Sequence, residues 1–288
     1  MKAISICPIC NAKPLMTIRK KINRNRADEF LIAALDEYYL KLCHEPSPSE
    51  VLSICSKCNS VYRANFFDTA EIKKIYEHLY HEIEVKFSKL DGYVYNKSEF
   101  LDGCSEKMFN TVKHLEDKFN LDIKSVFDIG GRDGFRLSKL ADHGYDCTVF
   151  DPIICSICND KIKKENFWSH EIPQEKKADL IILCNVLEHC IDPYSVIRNC
   201  YEHLEDNGLI FIELPTDKRT ALFWIFVGRF LGKNLSIDAT HNIFYSFKGL
   251  TYLLKSSGFD NIENTFSFLP SIDVKVSETI ARKTGIKE

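Results

Sequence analysis

The spacing of apolar positions changes character along this chain. After Lys124 they fall into short runs separated by helix-like stretches, the alternation expected of a parallel sheet with crossover helices. Ser125–Ile129 (SVFDI) is the first run and residues 147–150 the second. Ala178–Cys184 (ADLIILC) is a third, apolar nearly throughout, as a strand covered on both faces should be. Leu209–Leu214 is the fourth, entered through an Asn207-Gly208 turn and closed by Pro215. Between these runs, FRLSKLADHG reads as a helix stopped by Gly144, and Asp192-Pro193 as the N-cap and first-turn proline of another. A last helix is expected from Ser246 to Gly258.

Upstream the period is helical. Ile72, Ile75, Tyr76, Leu79, Tyr80 and Ile83 recur at helical spacing, as do Phe109, Val112, Leu115 and Phe119. Asp28–Leu42 has the same period and is broken by the two prolines of HEPSPSE. The expected fold class is α/β with a largely parallel central sheet over residues 121–288. A helical connector over 67–120 and a small N-terminal module over 1–66 precede it.

Composition narrows the partners. A chain of 288 residues, 45% hydrophobic, can bury one large core and a small satellite. A formal net charge of -3 argues against a surface built to neutralise nucleic-acid phosphates. The start, MKAISICPIC, lacks the apolar run of a signal peptide, and no stretch is long enough to span a bilayer. The expectation is a soluble, cytoplasmic protein, so its 12 cysteines need a reason other than disulfides.

Cys147, Cys184, Cys190 and Cys200 sit singly in apolar segments, where a thiol packs as a small hydrophobe. Four others are placed differently. Cys7-Pro8-Ile9-Cys10 and Cys55-Ser56-Lys57-Cys58 are two CxxC knuckles, and a pair of knuckles supplies a closed tetrahedral sulfur set for a structural zinc ion. Cys43 and His44 are reserve ligands. A third pair, Cys155 and Cys158, has no companion nearby and reads as two apolar positions in a short helix.

The first apolar run ends in Gly130-Gly131-Arg132-Asp133-Gly134, where glycines at a strand-to-helix turn let backbone approach a ligand. Asp128 is placed to hold a cationic amino group. Asp151-Pro152 ends the second run, where an acid accepts the two hydroxyls of a ribose. Taken in order, VFDIGGRDG, VFDP, ADLIILCNVLEHCIDP and NGLIFIELP resemble the Rossmann-like S-adenosylmethionine-dependent methyltransferases over about Ser125 to Phe259. That resemblance implies S-adenosyl-L-methionine as cofactor. It assigns Asp128, Gly130, Gly131 and Gly134 to the methionine moiety, Asp151 with Pro152 to the ribose, and Asn185 to a place beside the methionyl group. Family members usually carry glycine where Arg132 stands, and further polar contacts would come from near Ser169-His170-Glu171.

The substrate half is less decided. Ala221–Leu231 (ALFWIFVGRFL) reads as a core helix, a lid over substrate, or an interfacial anchor making weak membrane-surface contact. His241, in Asp238-Ala239-Thr240-His241-Asn242-Ile243-Phe244-Tyr245-Ser246-Phe247, is the candidate general base, with a structural histidine as the alternative. Glu188 and His189 face the same two readings. The paired knuckles, the lead-in EPSPSEVLSICSKC and the following core resemble the zinc-binding sugar C-methyltransferases. In those an acidic residue usually precedes the histidine, with an aromatic hydroxyl nearby; here Thr240 and Asp238 stand instead. The resemblance implies O- or C-methylation of a small-molecule or glycan acceptor, such as a nucleotide sugar. Ribosomal RNA methylation and a decayed, non-catalytic cofactor fold are the alternatives.

Overall fold

The computed structural model describes residues 2–20, 50–66, 97–152, 156–166, 172–215, 241–268 and 275–284. In the first half these contain strands β1 (Lys2–Ala3), β2 (Pro14–Lys20), β3 (Glu50–Cys55), β4 (Val61–Arg63) and β5 (Asn65–Phe66), then helix α1 (Lys97–Phe119), β6 (Ser125–Ile129), α2 (Ser138–Asp142) and β7 (Asp146–Phe150). There follow β8 (Lys163–Glu165), β9 (Ala178–Cys184), α3 (Pro193–Glu202), β10 (Leu204–Pro215), β11 (Ile243–Phe244), α4 (Phe247–Ser256), β12 (Phe259–Phe268) and β13 (Lys275–Lys283). The chain divides into two compact units. One comprises Met1–Asp91, Glu188–Asp192 and Thr216–Tyr252; the other comprises Gly92–Leu187, Pro193–Pro215 and Leu253–Glu288.

The larger unit is a seven-stranded sheet in the order β12-β13-β10-β9-β6-β7-β8. Strands β10, β9, β6, β7 and β8 run parallel, and β13 and β12 add an antiparallel edge. The parallel strands are apolar because both faces are covered: Val126, Val149, Leu180, Ile182 and Leu209 are fully buried. Helix α1 contributes Met108, Val112 and Leu115 to the same core, three to four residues apart and so on one face. The strands read at Ser125–Ile129 and Ala178–Cys184 stand with those bounds, and the second begins one residue earlier, at Asp146. Two local readings are corrected. The stretch after Gly134 is a 3-10 turn over Phe135–Leu137 followed by the short α2, not one helix. Asn207-Gly208 lies inside β10 as an irregularity of register between Leu204 and Leu209, with Asn207 at φ 67°, and does not precede the strand.

The smaller unit holds a four-stranded sheet in the order β11-β4-β3-β2 and a separate pair, β1 with β5. The outermost strand comes from far along the chain: Ile243 pairs with Tyr62 and Phe244 with Val61. Ser246 fixes that join, donating its hydroxyl to the Cys58 carbonyl at 2.5 Å and accepting the Gly249 amide at 2.9 Å as the cap of α4. Only glycine fits at 249, since an added Cβ would lie 2.2 Å from Ser60 Oγ. Among the described residues an apolar cluster here comprises Leu52, Ile54, Val61 and Phe244, with Ile18 against them.

The helix expected at Asp28–Leu42, the reserve ligands Cys43 and His44, the periodic residues from Ile72 to Ile83, Cys155, Ser169-His170-Glu171, Ala221–Leu231, Asp238 and Thr240 lie outside the described residues. Cys158 departs from its reading: it is exposed and not in a helix, and its amide donates to the Asp133 carbonyl at 2.8 Å. No helix among the described residues is long and apolar enough to cross a membrane.

Candidate active site

Every residue assigned to the cofactor lies at or just past the carboxyl end of three adjacent parallel strands, β9, β6 and β7, or in the turn after β6. That edge of an open α/β sheet is where crevices form, because the chain leaves neighbouring strands in different directions. Asp128 is the penultimate residue of β6 and 1% exposed. Its Oδ2 has no hydrogen-bond partner among the described residues. Burial pushes its pKa up to about 7; Arg136 pulls it down, and Asp151, Glu213 and Asp133 push it further up.

The glycine turn is shaped around that carboxylate. A Cβ on Gly131 would lie 2.4 Å from Asp128 Oδ2, so a side chain there would occupy the space against the acid. Gly130, at φ 74°, passes so close to Val186 that a Cβ would meet its Cγ2 at 2.6 Å. Gly134 ends the turn and precedes the 3-10 segment. Arg132 adopts φ 53°, the left-handed conformation that glycine takes freely. Its amide donates to Asp151 Oδ2 at 2.9 Å, and its carbonyl accepts Lys164 Nζ at 2.6 Å. The side chain at 132 therefore leaves the turn's path intact. Asp151, 3% exposed, and Pro152 follow β7, and Asn185 follows β9 at φ 54°, its amide donating to the Glu213 carbonyl at 2.9 Å.

Reading the sequence missed a group of buried charges in this unit. Glu213 of β10 is ion-paired with Lys107 Nζ at 2.7 Å and Arg136 Nη2 at 3.2 Å, and Lys107 also meets Glu278 at 2.7 Å. Burial works against the charge on Lys107, but Glu213 and Glu278 outweigh it and raise its pKa. One signal was available: Glu213 interrupts the apolar run LIFIELP, and an acid inside a central strand must find a cation.

In the smaller unit His241 is 8% exposed. Glu188 Oε1 lies 3.8 Å from His241 Nε2 and 3.8 Å from His189 Nε2, and the two imidazoles meet edge to face at 4.8 Å. Backbone bonds hold the three together. Asn242 donates its amide to the Glu188 carbonyl and its side-chain nitrogen to the His189 carbonyl, both at 2.8 Å. Arg63 Nε donates to the His241 carbonyl at 2.7 Å. These donors are close enough to share a proton or a cation. Burial raises the pKa of the Tyr245 phenol well above its ordinary value, and Cys190 and Glu188 add to this.

The same unit brings the four knuckle cysteines together, all buried. Cys7 Sγ is 3.7 Å from Cys58 Sγ, and Cys10 Sγ is 3.3 Å from Cys55 Sγ. Metal–sulfur bonds of about 2.3 Å in a tetrahedron place sulfurs roughly 3.8 Å apart, so the set is close to that of a bound ion. Amides of Lys57 and Cys58 donate to Cys55 Sγ at 3.3 and 3.4 Å, and the Ile9 amide to Cys7 Sγ at 3.4 Å. Such bonds stabilise thiolates. Hydrogen bonding between Cys7 and Cys58 pushes the pKa of the first up and that of the second down.

Acids at neighbouring strand ends beside a glycine turn, in a sheet closed by an antiparallel pair, define a Rossmann-like domain of the S-adenosylmethionine-dependent methyltransferase fold. The sequence comparison agrees: the methyltransferase-domain family profile matches residues 100–264, more than half of the chain, and the chain belongs to that family. Among curated relatives, it is 30% identical over 145 residues to a ubiquinone biosynthesis O-methyltransferase of Glaesserella parasuis serovar 5. That match covers 45% of this chain and 61% of the relative. A protein of the same name from Coxiella burnetii is 25% identical over 141 residues, covering 46% and 60%. The chain thus spans about three-fifths of the length of the curated relatives it matches. Two solved structures share the fold. One is magnesium protoporphyrin IX methyltransferase of Synechocystis with bound SAH, with TM-score 0.53, 12% identity and coverage of 75% and 100%. The other is the Burkholderia thailandensis 1,6-didemethyltoxoflavin-N1-methyltransferase, with TM-score 0.53, 13% identity and coverage of 84% and 98%.

Proposed function

We propose that this protein transfers a methyl group from S-adenosyl-L-methionine to a hydroxyl or carbon of a sugar-type small molecule, a nucleotide sugar or surface glycan. One observation carries the cofactor half: Asp128 and Asp151 end adjacent strands on either side of the Gly130–Gly134 turn, and Asp128 Oδ2 is buried without a hydrogen-bond partner among the described residues. The residues fit the cofactor. Asp128 accepts its ammonium group beside Gly130, Gly131 and Gly134, Asp151 with Pro152 takes the ribose hydroxyls, and Asn185 lines the methionyl end. When bound, the cofactor supplies an electrophilic methyl; the protein's part is to align an acceptor with it and exclude water.

His241 is the acceptor's general base in this reading. Support comes from Glu188, whose buried carboxylate 3.8 Å away favours the protonated imidazole that forms when a proton is taken. The named activity of the curated relatives, O-methylation, favours a hydroxyl acceptor over a carbon. In this reading residues 1–66 supply the metal module, whose sheet is completed by Ile243–Phe244, 67–120 the connector, whose α1 packs into the core of the larger unit, and 121–288 most of the catalytic domain. Cys7, Cys10, Cys55 and Cys58 hold a structural zinc, a role that suits four sulfurs with no position left for water.

The test is methyl transfer from labelled cofactor to four acceptor sets: nucleotide sugars, extracted glycans, small phenols and ribosomal RNA. Product with the sugar sets, falling about 100-fold in His241→Ala, supports the reading, since general-base removal typically costs that much. Product only with phenols or RNA overturns the sugar assignment. Unchanged product in His241→Ala removes the base, and cofactor binding without product on any set points to a decayed enzyme.

A further inference from the structure

Three segments far apart in the chain are tied into one frame in the smaller unit: the second knuckle with β4, the pair Glu188 and His189, and residues 241–246. Arg63 is buried at the end of β4 and bonds twice to the histidine segment. Its Nε donates to the His241 carbonyl at 2.7 Å and its amide to the Asn242 carbonyl at 2.9 Å. Asn242 carries the connection on, its amide donating to the Glu188 carbonyl and its Nδ2 to the His189 carbonyl. At the other end of β4 the knuckle itself takes part. The Cys55 amide donates to the Ser60 carbonyl at 2.9 Å, the Ser246 hydroxyl to the Cys58 carbonyl at 2.5 Å and the Ser246 amide to Ser60 Oγ at 3.1 Å. Between these two anchors Val61 and Tyr62 pair with Phe244 and Ile243.

Burying a cation is costly unless its donors are used, and here a guanidinium donor goes to the main chain beside a histidine. A charge-assisted bond from a rigid, planar fork fixes direction as well as distance. Distance matters at this place. Glu188 Oε1 stands 3.8 Å from the Nε2 atoms of His189 and His241, near enough to act electrostatically and too far for a hydrogen bond. A displacement of a fraction of an ångström therefore changes how the carboxylate acts on either ring.

We propose that Arg63 and Ser246 are positioning residues through which the four-cysteine knuckle set holds His241 against Glu188, so that filling the sulfur site orders the proton-handling residues without contributing to cofactor binding. The inference rests on the readings of His241 as base and of the four cysteines as a metal set, and adds the link between them. Ser246 joins the knuckle to the segment that carries the histidine, and Arg63 joins the strand leaving the knuckle to the histidine's own carbonyl. The module is thus a brace for the acceptor chemistry as well as a staple for a small fold.

The test uses the full chain loaded with zinc. Proton–nitrogen correlation spectra record the imidazole signals of His189 and His241, assigned through His189→Ala and His241→Ala, beside metal analysis and titration with S-adenosylmethionine. In chelator-treated wild type, zinc added back returns both signals in step with metal content. In Arg63→Met and Ser246→Ala the ion returns and the wild-type signals do not, while cofactor affinity stays within about twofold, as for independent sites. With any acceptor set that gives product, kcat in these variants falls about 10- to 100-fold at unchanged KM, the cost of a small misplacement. Arg63→Lys, which offers a cation to the same carbonyl, recovers part of both losses. Thr17→Val deletes the Thr17–Ser53 hydrogen bond at the far edge of the same sheet and moves neither signal. Signals that ignore zinc in wild type, that stay unmoved in Arg63→Met and Ser246→Ala, or that Thr17→Val moves as far, overturn the inference; so does a loss of cofactor affinity matching the loss in kcat. Should melting curves show Arg63→Met unfolded, Ser246→Ala and Arg63→Lys decide on the same signals, which also decide where no acceptor set gives product. Signals that move as expected while His241→Ala still makes product keep the link and remove the base, so the two readings fail separately.

Discussion

The two units of this chain are held together by different means. The seven-stranded unit buries sixteen residues in one apolar cluster, with Leu180, Ile182, Val126 and Leu209 excluded from water altogether. Among its described residues the smaller unit shows a cluster of Leu52, Ile54, Val61 and Phe244, beside the four knuckle cysteines and a strand borrowed from residues 243–244. Small domains bury too little apolar surface to offset chain entropy and need a staple. The contrast teaches that stability and chemistry are divided differently in each. In the large unit a strong core tolerates a buried, partly unmatched acid; in the small one the four knuckle cysteines and the group of Glu188, His189 and His241 share one frame.

The largest effect expected from breaking that contrast is at the sulfurs. Cys7→Ser, or removal of metal by a chelator, should cost the small unit its fold, since structural zinc contributes on the order of 10 kcal/mol. Metal analysis should fall from one ion per chain to none, and proteolysis should cut within residues 50–66. Cofactor affinity should stay within about threefold of wild type, because the Asp128 turn rests on its own core. Loss of cofactor binding along with the metal would erase the distinction.

Next is Asp128 itself. Its folded pKa is raised to about 7 from an ordinary value of 3.8, so between those values the folded state holds a proton that the unfolded chain has released. Its contribution is therefore present at low pH and lost as pH rises toward 7 and beyond. Asp128→Asn should raise the melting temperature of the ligand-free protein at pH 8 by a few degrees while weakening S-adenosylmethionine binding about 100-fold. A variant both less stable and unimpaired in binding would contradict the assignment.

A core comparison sharpens the picture further. Leu180→Ala should cost about 3 kcal/mol in the melting transition of the large unit. Leu52→Ala should show a smaller loss in metal-bound protein and a larger one once metal is removed. The smallest effect is at Arg132, where a left-handed backbone without glycine stores about 1 kcal/mol. Arg132→Gly should raise the melting temperature slightly and leave cofactor affinity unchanged or improved, as thermal denaturation and titration would read.

Much of the large unit was legible in the chain. Ala178–Cys184 and Ser125–Ile129 are apolar because both faces are covered, a signal that depends on a few residues only. Edge strands were not legible: β12 is mostly exposed and polar, and β8 is the tripeptide Lys163–Glu165, so neither carries a hydrophobic pattern. The acids at 128 and 151 announced themselves by following apolar runs. Arg136 and Lys107 did not, because a charge buried by pairing looks in sequence like any surface charge. Nor could sequence reveal that Ile243 and Phe244 pair with the strand after the second knuckle, about 180 residues earlier, since register between distant segments is set by packing.

Cofactor recognition here depends most on two carboxylates meeting one nucleoside. A crystal structure of the protein with S-adenosylhomocysteine tests this directly. The amino group is expected within hydrogen-bonding distance of Asp128 Oδ2, about 3 Å, with the ribose hydroxyls on Asp151. Ligand bound elsewhere, or either carboxylate turned away from it by more than about 5 Å, would contradict the account.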